Sequence, residues 1–365
     1  MHVLRCRGGR AGFTVATVLI AGAVLRLEGQ GTSPPADVAT ALARTGSASA
    51  DDLATLAAGR VVTHTQVVPD TLETSVVAAV KINTGLDRTL AYFRQLLSYV
   101  DGQTTLHYAP LKWPAEEADF AGAALDAADL ADLRSCAPAR CDIRVGAATA
   151  ESIQATDWSS GDATERSNRW LRRELTAAVN SYQRSGDAGL RSYDDRGVPL
   201  DLPALWRQLE DASPIPAALS PSLQRYLERF PDAMPAEASN EFYVDSQHLT
   251  GLKTVLGVTH VITWRESSQP QRVIVVQKQI AATHYFYGSM AVTLFVQDAA
   301  TPPATYVVYT NRARGDLLRG AQSPQAGLRG RISTIGASVQ RRLGEQLVKQ
   351  SAERLMTSMK SALEQ

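Results

Sequence analysis

The stretch "ATHYFYG" sets one histidine, His284, beside Tyr285, Phe286 and Tyr287. Histidine is the side chain that titrates nearest neutral pH, so it can act as a base or orient a polar head group. The flanking residues alternate between polar and apolar, which predicts a strand with His284 and Phe286 on one side and the two tyrosines on the other. If Phe286 is buried, His284 points inward with it. A general base also needs an orienting partner within hydrogen-bond reach. Glu241, Asp245 and Asp298 are the carboxylates considered for that role. The rival is a core histidine satisfied by one backbone carbonyl, and it is the favoured reading.

A second candidate is "YTNRARGDLLRG", where Arg312, Arg314 and Arg319 follow the end of an apolar run. Arginines at a sheet end can hold a carboxylate or phosphate bidentately. A solvated strand end with an Arg–Asp pair is the simpler reading and is worth little energy. No H-E-x-x-H, Walker A, G-x-G-x-x-G or G-x-S-x-G occurs. His248 and His260 are too weakly spaced to define a metal site, and the paired carboxylates of "YDDRG" read as turn formers. No metal and no cofactor is expected.

Cys136 and Cys141, in "SCAPARCDIRV", are separated by four intervening residues. In an oxidising compartment they read as a disulfide, which stabilises the fold by about 2 kcal/mol on a chain-entropy basis. A redox pair or half of a zinc site is the rival, although the spacing is not C-x-x-C.

Export follows from the N-terminus. Arg5, Arg7 and Arg10 precede the apolar run at residues 11–27, as in a secretory signal. Residues 1–31 are thus expected to be a signal peptide or, if uncleaved, an N-terminal anchor, which would be the chain's one contact with a membrane. The expected location is periplasmic or extracellular. The charge is balanced, with 37 basic and 37 acidic residues, so no basic footprint for nucleic acid is present and none is expected as a partner.

The elements that must position these residues follow from periodicity. Residues 32–50 are rich in Pro, Ala, Ser and Thr and read as a flexible leader. Residues 51–365 form the expected domain. Two β-branched runs and an amphipathic helix open it. Residues 150–235 read as a helical insertion. After Glu241 the period returns to two, predicting about five antiparallel strands, the longest bending at Gly288. A long helix closes the chain, with Ile335, Val339, Leu343, Leu347, Met356, Met359 and Leu363 near one face.

Several local patterns, "LRSCAPARCDIRV", "RRELTAAVNSYQRSGDAGLRSYDD", "LQRYLERFP", "KQIAATHYFYGSMAVTLFV" and "YVVYTNRARGDLLRG", together resemble an uncharacterised family of exported bacterial proteins. That resemblance implies export and the Cys136–Cys141 pair, and no activity. The order of elements is similar to START-like and Bet v 1-like helix-grip domains. It implies an α+β fold in which a curved antiparallel sheet grips the C-terminal helix and encloses an apolar cavity.

The expected function is an exported, non-enzymatic protein that binds a lipid or small apolar ligand between sheet and C-terminal helix. Trp264, His284, Phe286, Tyr309, Arg312 and Arg314 are the expected ligand-binding residues. An envelope hydrolase using His284, and a structural or interaction protein, are the alternatives.

Overall fold

The structure is a computed structural model. It describes residues 33–316 and 333–365, apart from 71, 139, 191, 196–197, 233, 249–251 and 299–301. The signal or anchor expected over residues 1–31 and the candidate Arg319 lie outside the described residues, as do the side chains of Ile335, Val339 and Leu343. From Ser33 onward the chain forms one compact unit.

The chain begins with α1 (Ala36–Arg44) and α2 (Ala50–Ala57), then β1 (Val62–Thr65), β2 (Glu73–Ile82), α3 (Leu86–Leu97) and β3 (Thr105–Leu111). A helical segment follows: α4 (Ala127–Leu133), α5 (Ala147–Gln154), α6 (Ala163–Ser185), a small hairpin of β4 (Tyr193–Asp195) and β5 (Val198–Leu200), then α7 (Leu202–Asp211), α8 (Pro214–Leu219) and α9 (Pro221–Arg229). Five strands come next: β6 (Ala238–Gln247), β7 (Val255–Trp264), β8 (Arg272–Ala282), β9 (Phe286–Gln297) and β10 (Thr305–Gly315). The chain closes with α10 (Ser333–Leu363).

The main sheet has eight strands in the order β1-β2-β10-β9-β8-β7-β6-β3. Every neighbouring pair is antiparallel. The protein is therefore α+β around one large antiparallel sheet, as expected. The sheet is covered on both faces. Side chains at alternate positions of each strand divide between two apolar clusters, as the pleat requires. Val76, Val80, Val275, Phe295 and Val307 face α3 and the end of α10, where Phe93, Ala352, Met356 and Met359 meet them. Val258, Ile262, Ile274, Val276, Val292 and Val308 face the helical segment and pack on α1, α6, α7 and α9.

Three expectations change. Within the expected leader the described residues 33–50 are packed: α1 buries Val38, Ala41 and Leu42 completely. Its small residues let it seat against β9, β10 and α8. The segment after Cys141 is irregular as far as Gly146, after which α5 begins. The expected long strand does not bend at Gly288 but is interrupted at Thr283–Tyr285, between β8 and β9. Gly288 instead admits α7, since a Cβ there would come within 2.9 Å of Leu205 and 3.2 Å of Trp206. Leu347 is exposed, whereas Met356, Met359 and Leu363 are buried on the expected face of α10. The helical insertion shares one core with the sheet rather than forming a separate lobe.

Candidate functional site

The face of the sheet beneath α6 and α7 carries the candidate site. Its first part is a chain of hydrogen bonds under α6. Lys278 on β8 shares its face with Val276 and Ile280, so its ammonium is driven into the core, where its side chain is 1 % exposed. It donates to Asp187 Oδ1 at 2.7 Å and Glu210 Oε1 at 2.6 Å. Its nitrogen also lies 4.7 Å from the centroid of the Trp206 ring. Burial by itself would depress the Lys278 pKa, but Tyr182, Glu210 and Asp187 outweigh it and hold it above its ordinary value. Burial also pushes the Glu210 carboxyl up to about 7, against the pull of Lys278.

Next in the chain is His260, fully buried on β7. Burial, and then the Lys278 charge, hold its pKa well below the ordinary value, so it is neutral. Its Nε2 lies 2.9 Å from Asn240 Oδ1, an acceptor only, so Nε2 carries the proton. Its Nδ1 then accepts from the Tyr182 hydroxyl at 3.0 Å. The ring stacks on Phe242 with centroids 4.3 Å apart. Such a closed network rigidifies the interface.

The second part lies at the disulfide. Cys136 and Cys141 are bonded, with Cα atoms 4.3 Å apart. The bond joins the end of α4 to the loop carrying Asp142. Asp129 and Asp142 meet His284, whose Nε2 lies 2.9 Å from Asp129 Oδ1 and whose Nδ1 lies 3.7 Å from Asp142 Oδ2. Lys253 donates to Asp132 and, at 2.6 Å, to Asp142. His284 thus has carboxylate partners, but not those anticipated. Glu241 pairs with Arg94, Asp298 with Lys81, and Asp245 accepts from Gln247. Neither His284 nor Asp129 is more than 3 % exposed. Among the described residues no cluster of His, Cys, Asp and Glu suits a metal ion.

The third part is a cavity of about 140 Å³ between α6 and the end of β8. Trp170, Leu171, Leu175, Ile280 and Tyr287 give it a largely apolar wall. Arg144, from the loop after the disulfide, also lines it. That loop is tied to the β8–β9 turn by the Arg144 N–H, which donates to the Thr283 carbonyl at 3.1 Å. A larger open groove of about 730 Å³ runs along α9 and the end of β7, lined by residues of both charges.

The six expected ligand-binding residues do not converge. Trp264 is buried against Tyr226 of α9, its indole N–H donating to Glu266. His284 sits in the β8–β9 turn, not on a strand. Phe286 is half-buried at the start of β9. Tyr309 faces the other side of the sheet, packed at the edge of the α10 cluster, and burial raises its pKa to about 12. Arg312 is held by Glu73 and the Ala212 carbonyl, and Arg314 by Gln208 and Asp70. Both arginines therefore brace β10 against β2 and α7. The interface expected to enclose a cavity, between sheet and C-terminal helix, is filled by Val76, Val80, Val307, Met356 and Met359. Sequence reasoning missed Arg144, Tyr182 and Lys278, and weighed His260 only as a metal ligand. For His260 and Lys278 the signal was present, because each occupies an inward position in an alternating strand.

No family model, curated protein or solved structure matches the chain. The disulfide accords with an oxidising compartment. Among the described residues no helix is long and apolar enough to cross a membrane.

Proposed function

We propose that this protein is an exported, non-enzymatic module that binds a small apolar or amphipathic ligand, built on a helix-grip, START-like frame. The frame is supported by strand order. The opening long strand β2 pairs with the last strand β10, β3 closes the far edge, and α3 and α10 share one face. Export is supported by the disulfide and by the basic, then apolar, N-terminal sequence.

The observation that carries the binding reading is the apolar cavity between α6 and β8. It moves the site to the face opposite α10. Ligand pockets are mostly apolar with few polar groups, and this one fits that description at a small scale, since such sites usually exceed about 300 Å³. It suits a single ring or short acyl segment rather than a whole lipid. A hydrolase built on His284 is not favoured, because His284 and Asp129 are sealed and neither lines the cavity.

Native mass spectrometry of the gently purified protein tests the reading. A reproducible added mass of a small apolar compound, lost on solvent extraction, is the expected result. A clean apo mass, together with no uptake of small apolar probes, would overturn it.

A further inference from the structure

We infer that the groove along α9 binds a short peptide by its two charged ends, the carboxylate at Arg225 and Arg229 and the ammonium at Asp232 and Glu237. The groove shares no lining residue with the cavity beneath α6, so this is a second site. Its volume of about 730 Å³ falls within the range of about 300–1,000 Å³ usual for ligand sites. Arg225 and Arg229 stand one helical turn apart on α9, so their side chains share a face. Asp232 and Glu237 line the groove from the connection between α9 and β6. Arg225, Arg229 and Asp232 are exposed and Glu237 is half-buried, so a ligand can reach all four. Among the described residues none of the four forms an ion pair. Arg225 reaches only the Ser222 hydroxyl, at 3.3 Å. Two cations and two carboxylates that line one groove without pairing leave a gap that a ligand carrying both signs can bridge.

The groove is fixed by contacts around it. Ser220 caps α9 by accepting from the Leu223 N–H at 3.2 Å, and its hydroxyl donates to Glu266 beyond the end of β7. Glu266 also accepts from Trp264 Nε1 at 3.1 Å and from Arg272 Nη2 at 2.9 Å. In the connection after α9, the Asp232 N–H donates to the Arg229 carbonyl at 2.7 Å, and the Glu237 carbonyl accepts from the Arg265 N–H at 3.0 Å. A site set before binding loses less entropy when a ligand arrives. Charge then decides the class. Glu266 is neutralised by Arg272, which leaves the two free arginines and the two free carboxylates. A ligand of one sign would meet one pair and be repelled by the other. A carboxylate offers two oxygens to the arginine forks. A single amino acid carries both charges on one carbon, whereas a peptide sets them apart, as the unpaired groups require. Leu219, Pro221 and Pro235 give apolar surface to the residues between the ends.

The test is calorimetric titration of the full-length protein with the tripeptide Ala-Leu-Ala, its N-acetyl form and its C-terminal amide. The free peptide is expected to bind about fivefold more tightly than either blocked form, the scale of one exposed charge pair. The double variant Arg225→Gln/Arg229→Gln should erase the preference for the free peptide over its amide and keep that over the acetyl form. Asp232→Asn/Glu237→Gln should do the reverse. None of these side chains is buried, so both variants should keep the wild-type urea midpoint. Equal binding of the three peptides, or tighter binding of a blocked one, would overturn the inference. So would binding of Ala-Leu-Ala that neither double variant changes, since the peptide would then sit elsewhere. No binding at millimolar concentration would overturn it as well. Uptake of apolar probes beneath α6 is measured separately and stands or falls on its own.

Discussion

The two faces of the sheet are both covered by helices, yet they are built from different chemistry. Beneath α3 and the end of α10 the contact is made mostly by Val, Ala, Ile, Leu, Phe and Met, with Tyr243 among them. Beneath α6 and α7 the same strands carry Lys278 and His260, α4 adds Asp129, and the connecting segments add Asp187 and Arg144. Apolar packing is tolerant of position, so the first face serves as a foundation. Buried polar groups must each find a partner at a set distance, so the second face fixes how the helical segment sits. Function is most economically sought where the core departs from pure packing.

Breaking the polar face at its centre should have the largest effect. Lys278→Met leaves Glu210 and Asp187 facing each other without a cation, and is expected to destabilise the protein by about 3–5 kcal/mol. Urea denaturation measures it. The double variant Lys278→Met/Glu210→Leu should recover most of the loss, because the remaining carboxylate, Asp187, is partly exposed and can be hydrated. If the double variant is no better than the single one, the polar network is needed as a unit.

On the dry face the matching test is Met356→Ala. Met356 is fully buried against the sheet. Its truncation should cost about 2–4 kcal/mol through lost burial and a residual cavity. Probe binding under α6 should not change. A loss of binding in a variant that remains folded would show that the two faces are coupled through the sheet, and the contrast drawn above would fail.

Replacing both Cys136 and Cys141 by Ser should have a smaller effect, about 2 kcal/mol on the loop-closure account. The change should be local. The bond holds together the segment that supplies Asp129, Asp132 and Asp142 to His284 and Lys253. Amide exchange should rise in residues 126–146 more than in β8 or β9. A uniform rise would mean that the bond supports the whole fold.

Much of this division was legible in the sequence, and the misses have physical causes. The five strands after residue 238 follow the period-two pattern. That same pattern sets Lys278 in line with Val276 and Ile280, and His260 with Val258 and Ile262. The turn at residues 283–285 carries no Gly, Pro, Asn or Asp to announce it. Tyr285 takes the left-handed conformation, φ 59°, that such residues usually fill. Its hydroxyl accepts from the Lys253 N–H at 2.9 Å, a contact that helps hold the turn. The Arg144 site was illegible because its ion-pair partner is 172 residues away in sequence. The helix α1 was hidden by composition: small residues read as a linker become good packing residues only once β9 and β10 are beside them.

The smallest and most specific effect is on pH dependence. Glu210 titrates near an ordinary 4.5 when unfolded and at about 7 when folded. Between these values the folded state holds the proton more tightly, so this group makes stability fall as pH rises from about 4.5 to 7, after which its contribution is constant. His260 acts in the opposite sense. Its folded pKa is depressed, so its contribution is complete above about 6.5 and is lost as pH falls below that value. The two slopes oppose each other over the overlapping range, and the wild-type profile alone does not separate them. Glu210→Gln removes only the first. The difference in stability between wild type and Glu210→Gln, followed by urea midpoints from pH 4.5 to 7.5, should shift steadily against the wild type and flatten above about pH 7. A difference independent of pH would show that Glu210 stays ionised beside Lys278 throughout, and that the polar face is a fixed ion network with no proton to exchange.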